Sequence, residues 1–227
     1  MSAILDVFGD FDEKGIEISI PKNLSGGEQL PPIRVRGYID RVDILPLDES
    51  TKEWLDPDGE ESVAPLRIHG SGWRPRRLVA IRDLKTSESK AAKIRHSDGL
   101  LDELQLALYA RAWEIAHPGD LVVAAGISLF SHHTEHMLEL SSHYSVAHSN
   151  LLLGTRTDIT TSLHRFPDEP PSPHSDHFRA WLTQRLAVAL RVAAGAAAGR
   201  VHPTPSPGVC GYCPVRNACE VRMEAGF

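Results

Sequence analysis

The chain has 227 residues, 41% of them apolar, and carries 24 Lys and Arg against 30 Asp and Glu, a formal net charge of −6. That length supports one sizeable core, or one core with a small appendage, and the composition is ordinary for a soluble globular protein. A membrane span is excluded, because the most apolar stretch, Leu186 to Ala198, is too short and contains Arg191.

The N-terminus, MSAILDVFGDFDEKG, has acidic residues where a secretory signal has basic ones, so the expectation is a cytoplasmic protein with no membrane partner. The negative charge counts mildly against a nucleic-acid partner. It does not exclude one, since a local basic groove can coexist with an acidic remainder.

In chain order, Gly15 to Pro21 alternates apolar and polar residues and reads as a short strand. Ile33 to Leu45 (IRVRGYIDRVDIL) alternates more clearly, between Pro31–Pro32 and Pro46, with a phase slip near Asp40 that predicts a bend or bulge. Leu47 to Arg77, rich in Pro, Gly, Asp and Glu, reads as a long excursion between two strands. Leu78 to Lys85 (LVAIRDLK) has the continuous apolar start of a strand buried on both faces.

Leu100 to His117 reads as a helix with apolar residues at 101, 104, 108 and 112, stopped by Pro118–Gly119. Leu121 to Phe130 is a second buried strand, and His136 to Leu140 is a candidate neighbour. Pro167 to Pro173 reads as a proline-rich linker, followed by a helix from about Ser175, a candidate N-cap, to Gly199. The order predicts an α/β fold with a mixed sheet.

Two segments place carboxylates at the ends of apolar strands: Gly37-Tyr38-Ile39-Asp40 and Ile81-Arg82-Asp83-Leu84-Lys85. Either alone is bland, since an acidic residue at a strand end is usually solvated. Together they match a chemical requirement. Asp83 and Lys85 are two apart on a strand and share a face. Phosphodiester hydrolysis with a hard cation needs oxygen ligands, an oriented water and charge neutralisation. Asp40 and Asp83 supply carboxylates if their strands are adjacent, the Leu84 carbonyl can add a ligand, and Lys85 can orient water or stabilise charge on the phosphate. Asp43, three on from Asp40, faces the other side of a regular strand.

The series GYIDRVD, IRDLKT and QLALYA resembles the RecB-like branch of the PD-(D/E)xK nuclease superfamily, over Gly37 to Tyr109. The resemblance implies a restriction-endonuclease-like fold, a mixed central sheet flanked by helices. It implies that Asp40 and Asp83 bind Mg²⁺ or Mn²⁺, that Lys85 is the catalytic lysine, and that Gln105 and Tyr109 are the helical motif facing the active site and DNA. Those two residues are four apart and so share a helix face. The implied activity is a metal-dependent DNA nuclease, an exonuclease on single strands or ends in recombination and repair. The partners would be DNA and a helicase or other nuclease-complex subunit. A catalytically inactive DNA-binding subunit and a CRISPR-adaptation nuclease are the alternatives.

All three cysteines lie in CGYCPVRNAC, spaced C-x2-C-x5-C at Cys210, Cys213 and Cys219. That spacing suits a soft metal or an iron–sulfur cluster better than a disulfide framework. In several RecB-like nucleases, the AddB type and CRISPR-adaptation nucleases among them, such a trio joins an upstream Cys around a 4Fe–4S cluster that staples the tail. Here the sequence holds no fourth Cys, and the family's N-terminal helical segment is not legible. A fragment of a longer protein, a ligand from a partner, and a non-Cys ligand such as His202 are the open readings. The expected organisation is a nuclease core over residues 1–166 and a C-terminal helix with its cysteine tail over 167–227.

Trp73, Arg74, Arg76 and Arg77, a basic and aromatic run, form a candidate DNA contact, which Lys90, Lys93 and Arg95 could extend. His132, His133 and His136 could be metal ligands, but a solvated loop after a strand is the better reading.

Overall fold

The run Leu78-Val79-Ala80-Ile81 has no polar face, and in the computed structural model it lies at the heart of the molecule with all four side chains fully buried. The structure describes residues 15–44, 62–68, 70–86, 99–139, 160–165 and 177–200, with Cys210, Asn217 and Cys219. The linker at 167–173, Ser175, Lys90, Lys93, Arg95, His202 and Cys213 lie outside the described residues. The chain divides into two compact units, residues 1–191 and 192–227.

The strands are β1 (Ile16–Ile18), β2 (Ile33–Val35), β3 (Arg41–Ile44), β4 (Arg77–Lys85), β5 (Asp120–Leu129), β6 (Thr134–Glu139) and β7 (Thr160–Arg165). The helices are α1 (Leu104–Ala116) and α2 (His177–Ala197). β1 and β2 form an antiparallel pair of their own, and the other five make one mixed sheet in the order β3-β4-β5-β6-β7. Within it β3–β4 and β5–β6 are antiparallel, while β4–β5 and β6–β7 are parallel. This is the mixed α/β architecture that the order of elements predicts.

One expected strand is in fact two. Ile33 to Leu45 splits into β2 and β3, which belong to different sheets, and residues 36–40 carry the chain between them. The cause is the phase slip. Ile39 and Val42 are both buried, and a strand of strict period two cannot turn residues three apart to the same side. Leaving one sheet for the other resolves the conflict and puts Asp40 at the head of β3.

β7 lies beyond the expected elements. Its sequence, Thr-Thr-Ser-Leu-His-Arg, has one aliphatic residue in six and no apolar alternation to read. The helix expected from Leu100 begins instead with a 3-10 turn over Leu100–Asp102. Glu103 then caps α1, its side chain accepting the Gln105 N–H at 3.3 Å. The buried residues of α1 are Leu106, Ala107, Ala110, Ala112, Trp113 and Glu114, whereas Leu101 is 38% exposed.

The front face of the sheet carries Val42, Val79, Ile81, Ala125, Ile127, Leu129 and Leu138, which share one core with α1 and with Phe178, Leu182, Leu186 and Leu190 of α2. A buried ion cluster ties the helices together. Glu114 accepts from Arg179 at 2.5 Å, from Arg111 at 3.1 Å and from the Val122 N–H at 3.2 Å. The start of β4 is fixed by Arg77, which donates two hydrogen bonds to Asp120 at 2.7 and 2.9 Å.

The back face holds Ala80, Ala124 and Met137 together with buried charge. Arg82 donates to Asp43 at 2.5 Å and also to Glu135, which in turn accepts from Ser128 at 3.1 Å. These bonds cross from β3 to β6. A one-residue slip of β3 on β4 would break them, so they lock the register on which the front-face site depends.

Candidate active site

The β3–β4 ladder ends at Arg41 opposite Arg82, which leaves Asp40 and Asp83 as the residues next to that last pair, and the two side chains interact directly. Adjacent strands run about 4.8 Å apart, and both carboxylates come to the same end of the front face. Asp40 Oδ2 accepts the backbone N–H of Leu84 at 2.8 Å. Lys85 places Nζ 2.8 Å from Asp83 Oδ2. Asp43 turns to the back face and bonds Arg41 and Arg82, which keeps it out of the site. The structure therefore brings Asp40, Asp83 and Lys85 together.

Burial pushes the Asp83 carboxyl above the usual carboxylate range; Lys85 opposes the shift and the negative charge of Asp40 adds to it. Lys85 is held above the ordinary lysine value by its bond to Asp83, with further pull from Asp40 and Glu103. The site is thus a crowded acidic corner in which one ammonium offsets more than one carboxylate. Glu103, the cap of α1, belongs to it electrostatically. The sequence reading missed Glu103, and its signal was available: an acidic residue immediately before a helix whose first turn carries Gln105.

Gln105 and Tyr109 form a pair, with Gln105 Nε2 donating to Tyr109 Oη at 2.6 Å. The Tyr109 ring lies against Gly37, where a Cβ would sit 3.5 Å from Cε1. The helical motif therefore supports the backbone three residues before Asp40. Only Tyr109 makes that contact, and Gln105 holds its hydroxyl.

The Trp73–Arg77 segment is at the other end of β4. Arg77 begins the strand and Lys85 ends it, a separation of roughly 26 Å at the rise of an extended chain. Trp73 Nε1 donates to Ser62 Oγ at 3.1 Å, and the Arg77 guanidinium is engaged by Asp120. The structure does not bring this run to the carboxylates. Among the histidines, His133 lies exposed in a turn with φ 46°, whereas His136 is buried inside β6. The expected solvated loop covers the first and not the second. Cys210 and Cys219 are half-buried free thiols.

Among the described residues, no group of three or more His, Cys, Asp or Glu gathers in metal-binding geometry. The pair Asp40 and Asp83 nevertheless fits a hard divalent cation. Both donors are carboxylate oxygens, and added positive charge would offset both the burial that chiefly raises the Asp83 pKa and the smaller contribution of the Asp40 charge.

A family model of the PD-(D/E)XK nuclease superfamily matches residues 67–220, more than half of the chain. The protein belongs to the PD-(D/E)XK nuclease superfamily. The match contains Asp83, Lys85, Gln105, Tyr109 and all three cysteines, while Asp40 lies before it. Members of the superfamily are nucleases, generally with Mg²⁺ or Mn²⁺. No curated protein and no solved structure matches the chain. Among the described residues, no helix is long and apolar enough to cross a membrane.

Proposed function

We propose that this PD-(D/E)XK protein is a metal-dependent DNA nuclease with Asp40, Asp83 and Lys85 as its catalytic centre. The observation that carries the reading is the register of β3 on β4, which sets Asp40 beside Asp83 with Lys85 in contact. Asp40, Asp83 and the Leu84 carbonyl would hold Mg²⁺ or Mn²⁺. The chemistry such a cation supplies is charge neutralisation and Lewis acidity at a phosphoryl oxygen. Lys85, with its side chain 38% exposed, can reach substrate. Its ammonium orients the attacking water against Asp83, or holds the phosphoryl oxygen on which charge accumulates. Gln105 and Tyr109 keep the Asp40 segment in place.

The substrate in this reading is single-stranded DNA or a DNA end, cut exonucleolytically during recombination or repair beside a helicase or other nuclease subunit. Cys210, Cys213 and Cys219 would ligate a structural 4Fe–4S cluster. The two described cysteines support this as half-buried thiols outside any disulfide.

The deciding experiment incubates end-labelled DNA with the purified protein and Mn²⁺, alongside Asp83→Ala and Lys85→Ala. The expected result is cleavage by the wild type and none by either variant. Equal cleavage by all three would overturn the site. Binding without any product from the wild type would favour an inactive DNA-binding subunit. A brown, anaerobically purified protein with visible absorbance lost on Cys213→Ser supports the cluster; a colourless, iron-free one rejects it.

A further inference from the structure

The segment that leads to Asp40 has two sides. Ile33 and Val35 are part-buried, and Ile39 is wholly buried. Between them Arg34, Arg36, Tyr38 and Asp40 are all exposed. Arg34 lies in β2, and Arg36 and Tyr38 follow it in the connector to Asp40, so two arginines and an aromatic ring stand exposed along the stretch that leads to the carboxylate.

Two further observations bear on this strip. The arginine stems lie together: a Cβ on Gly15, whose φ is +71°, would meet Arg36 Cγ at 2.9 Å and Arg34 Cγ at 3.0 Å. Neither guanidinium has a strong partner among the described residues. Arg34 approaches Glu17 at 3.6 Å with both side chains about 60% exposed, a pair worth little, and Arg36 has no ion pair among those residues. Tyr38 is 67% exposed, more than any other large apolar or aromatic side chain among the described residues. A ring left open next to a phosphodiester-cleaving site has a specific use, because every base offers a π-face to stack on. Beyond the site, Phe130 is 57% exposed and follows Leu129, the register partner of Lys85.

We propose that Arg34, Arg36 and Tyr38 form a track that guides an unpaired nucleic-acid strand to Asp40, Asp83 and Lys85, with Phe130 as a second stacking platform past the site. The arginines hold successive phosphates and Tyr38 stacks on a base beside the scissile phosphate. A duplex interior offers no free base face to Tyr38, so the track selects single strands or frayed ends. The proposal rests on the nuclease reading for the position of the scissile bond, while its binding test does not depend on cleavage.

The test measures fluorescence anisotropy of a labelled oligothymidylate and of a blunt duplex, with Ca²⁺ in the buffer, for wild type, Tyr38→Ala, Tyr38→Phe and Arg36→Ala. Tyr38→Ala should weaken single-strand binding about tenfold, on the scale of one lost base stack, and leave duplex binding unchanged. Tyr38→Phe should restore the single-strand affinity. Arg36→Ala should lower the slope of log affinity against log salt by about one. These side chains are exposed, and unchanged thermal melts verify that the variants fold. Wild-type affinity in both Tyr38→Ala and Arg36→Ala, an equal loss for single strand and duplex, or no strand binding by the wild type would overturn the track. Strand binding that follows these rules without Mn²⁺-dependent cleavage sinks the nuclease reading alone. Cleavage indifferent to Tyr38 and Arg36 sinks the track alone.

Discussion

Asp40 reaches across from β3 to accept the Leu84 N–H at 2.8 Å, between Asp83 and Lys85 in the chain. One oxygen of Asp40 therefore helps fix β4 at the site, while the same carboxylate also interacts with Asp83. The two jobs separate by mutation. Asp40→Asn keeps an oxygen that can accept from Leu84 but removes the charge. It should melt within a degree or two of the wild type. Metal-dependent cleavage should fall more than about a hundredfold, the scale of losing one preorganised electrostatic group. Asp40→Ala should lose both. An Asn variant that keeps near wild-type cleavage would show that Asp40 serves only as a clamp.

The titration of Asp83 predicts how metal binding follows pH. Its carboxyl is held above the ordinary 3.8, chiefly by burial. A group with a raised folded-state pKa contributes stability that is full below its unfolded value and lost as pH rises through the folded value. The metal-free protein should therefore lose the Asp83 contribution as that carboxyl ionises. Cation binding must displace the same proton, so Mn²⁺ affinity rises over the same window and levels off once Asp83 is ionised. Thermal melts with and without Mn²⁺, between about pH 4 and pH 8, should show a metal-induced rise in Tm that grows with pH. In Asp83→Asn that pH dependence should vanish. Lys85, whose pKa is raised above 10.5, stays charged throughout.

The contact between Tyr109 and Gly37 predicts a graded series. An alanine Cβ at position 37 would lie 3.5 Å from Tyr109 Cε1, an ordinary contact, so Gly37→Ala should cost less than about 1 kcal/mol. Gly37→Ile adds branches that must displace the ring, and overpacking of this kind costs about 1–3 kcal/mol. Because the ring backs the segment that ends at Asp40, kcat should fall further than stability alone explains. Tyr109→Phe keeps the ring and loses the bond from Gln105, for about 1 kcal/mol and a mild loss of rate. Steady-state kinetics beside melts of the four proteins decide this, and equal kcat for Gly37→Ala and Gly37→Ile would refute the positioning role.

How much of this was legible follows the physics of each segment. Leu78 to Lys85 was legible as a strand from its continuous apolar run, and its Asp-Leu-Lys end gained meaning only beside the Asp40 segment. Asp83 and Lys85 needed only the period of a strand. The neighbourhood of Asp40 was half legible: the phase slip marked a disruption, but only the tertiary pairing shows that β2 and β3 belong to separate sheets. Arg34, Arg36 and Tyr38 alternate in the sequence with Ile33, Val35 and Ile39, and become visible once the exposed residues are read as a set. β7 could not be read, since a strand carried by parallel pairing to β6 needs no apolar alternation of its own. The back-face link of Asp43, Arg82 and Glu135 is made by bonds between residues 39 and 53 apart in sequence, distances over which local patterns carry no information.

Glu114 offers the sharpest test of the fold itself. It is fully buried and accepts from Arg179, Arg111 and the Val122 N–H, so one carboxylate joins α1, α2 and β5. Arg179 is itself only 1% exposed. Glu114→Ala removes the carboxylate from two desolvated guanidiniums, and breaking a buried pair on one side costs about 3–5 kcal/mol. Glu114→Gln keeps an acceptor of the same shape and should cost less, although the charge is gone. Replacing Arg179 with Met in the Glu114→Ala background removes one of the stranded cations and should recover part of the loss. Chemical denaturation of the three variants gives the ordering, with the double variant above Glu114→Ala. If Glu114→Ala alone stays within about 1 kcal/mol of wild type, the cluster is not what fastens the two helices to the sheet.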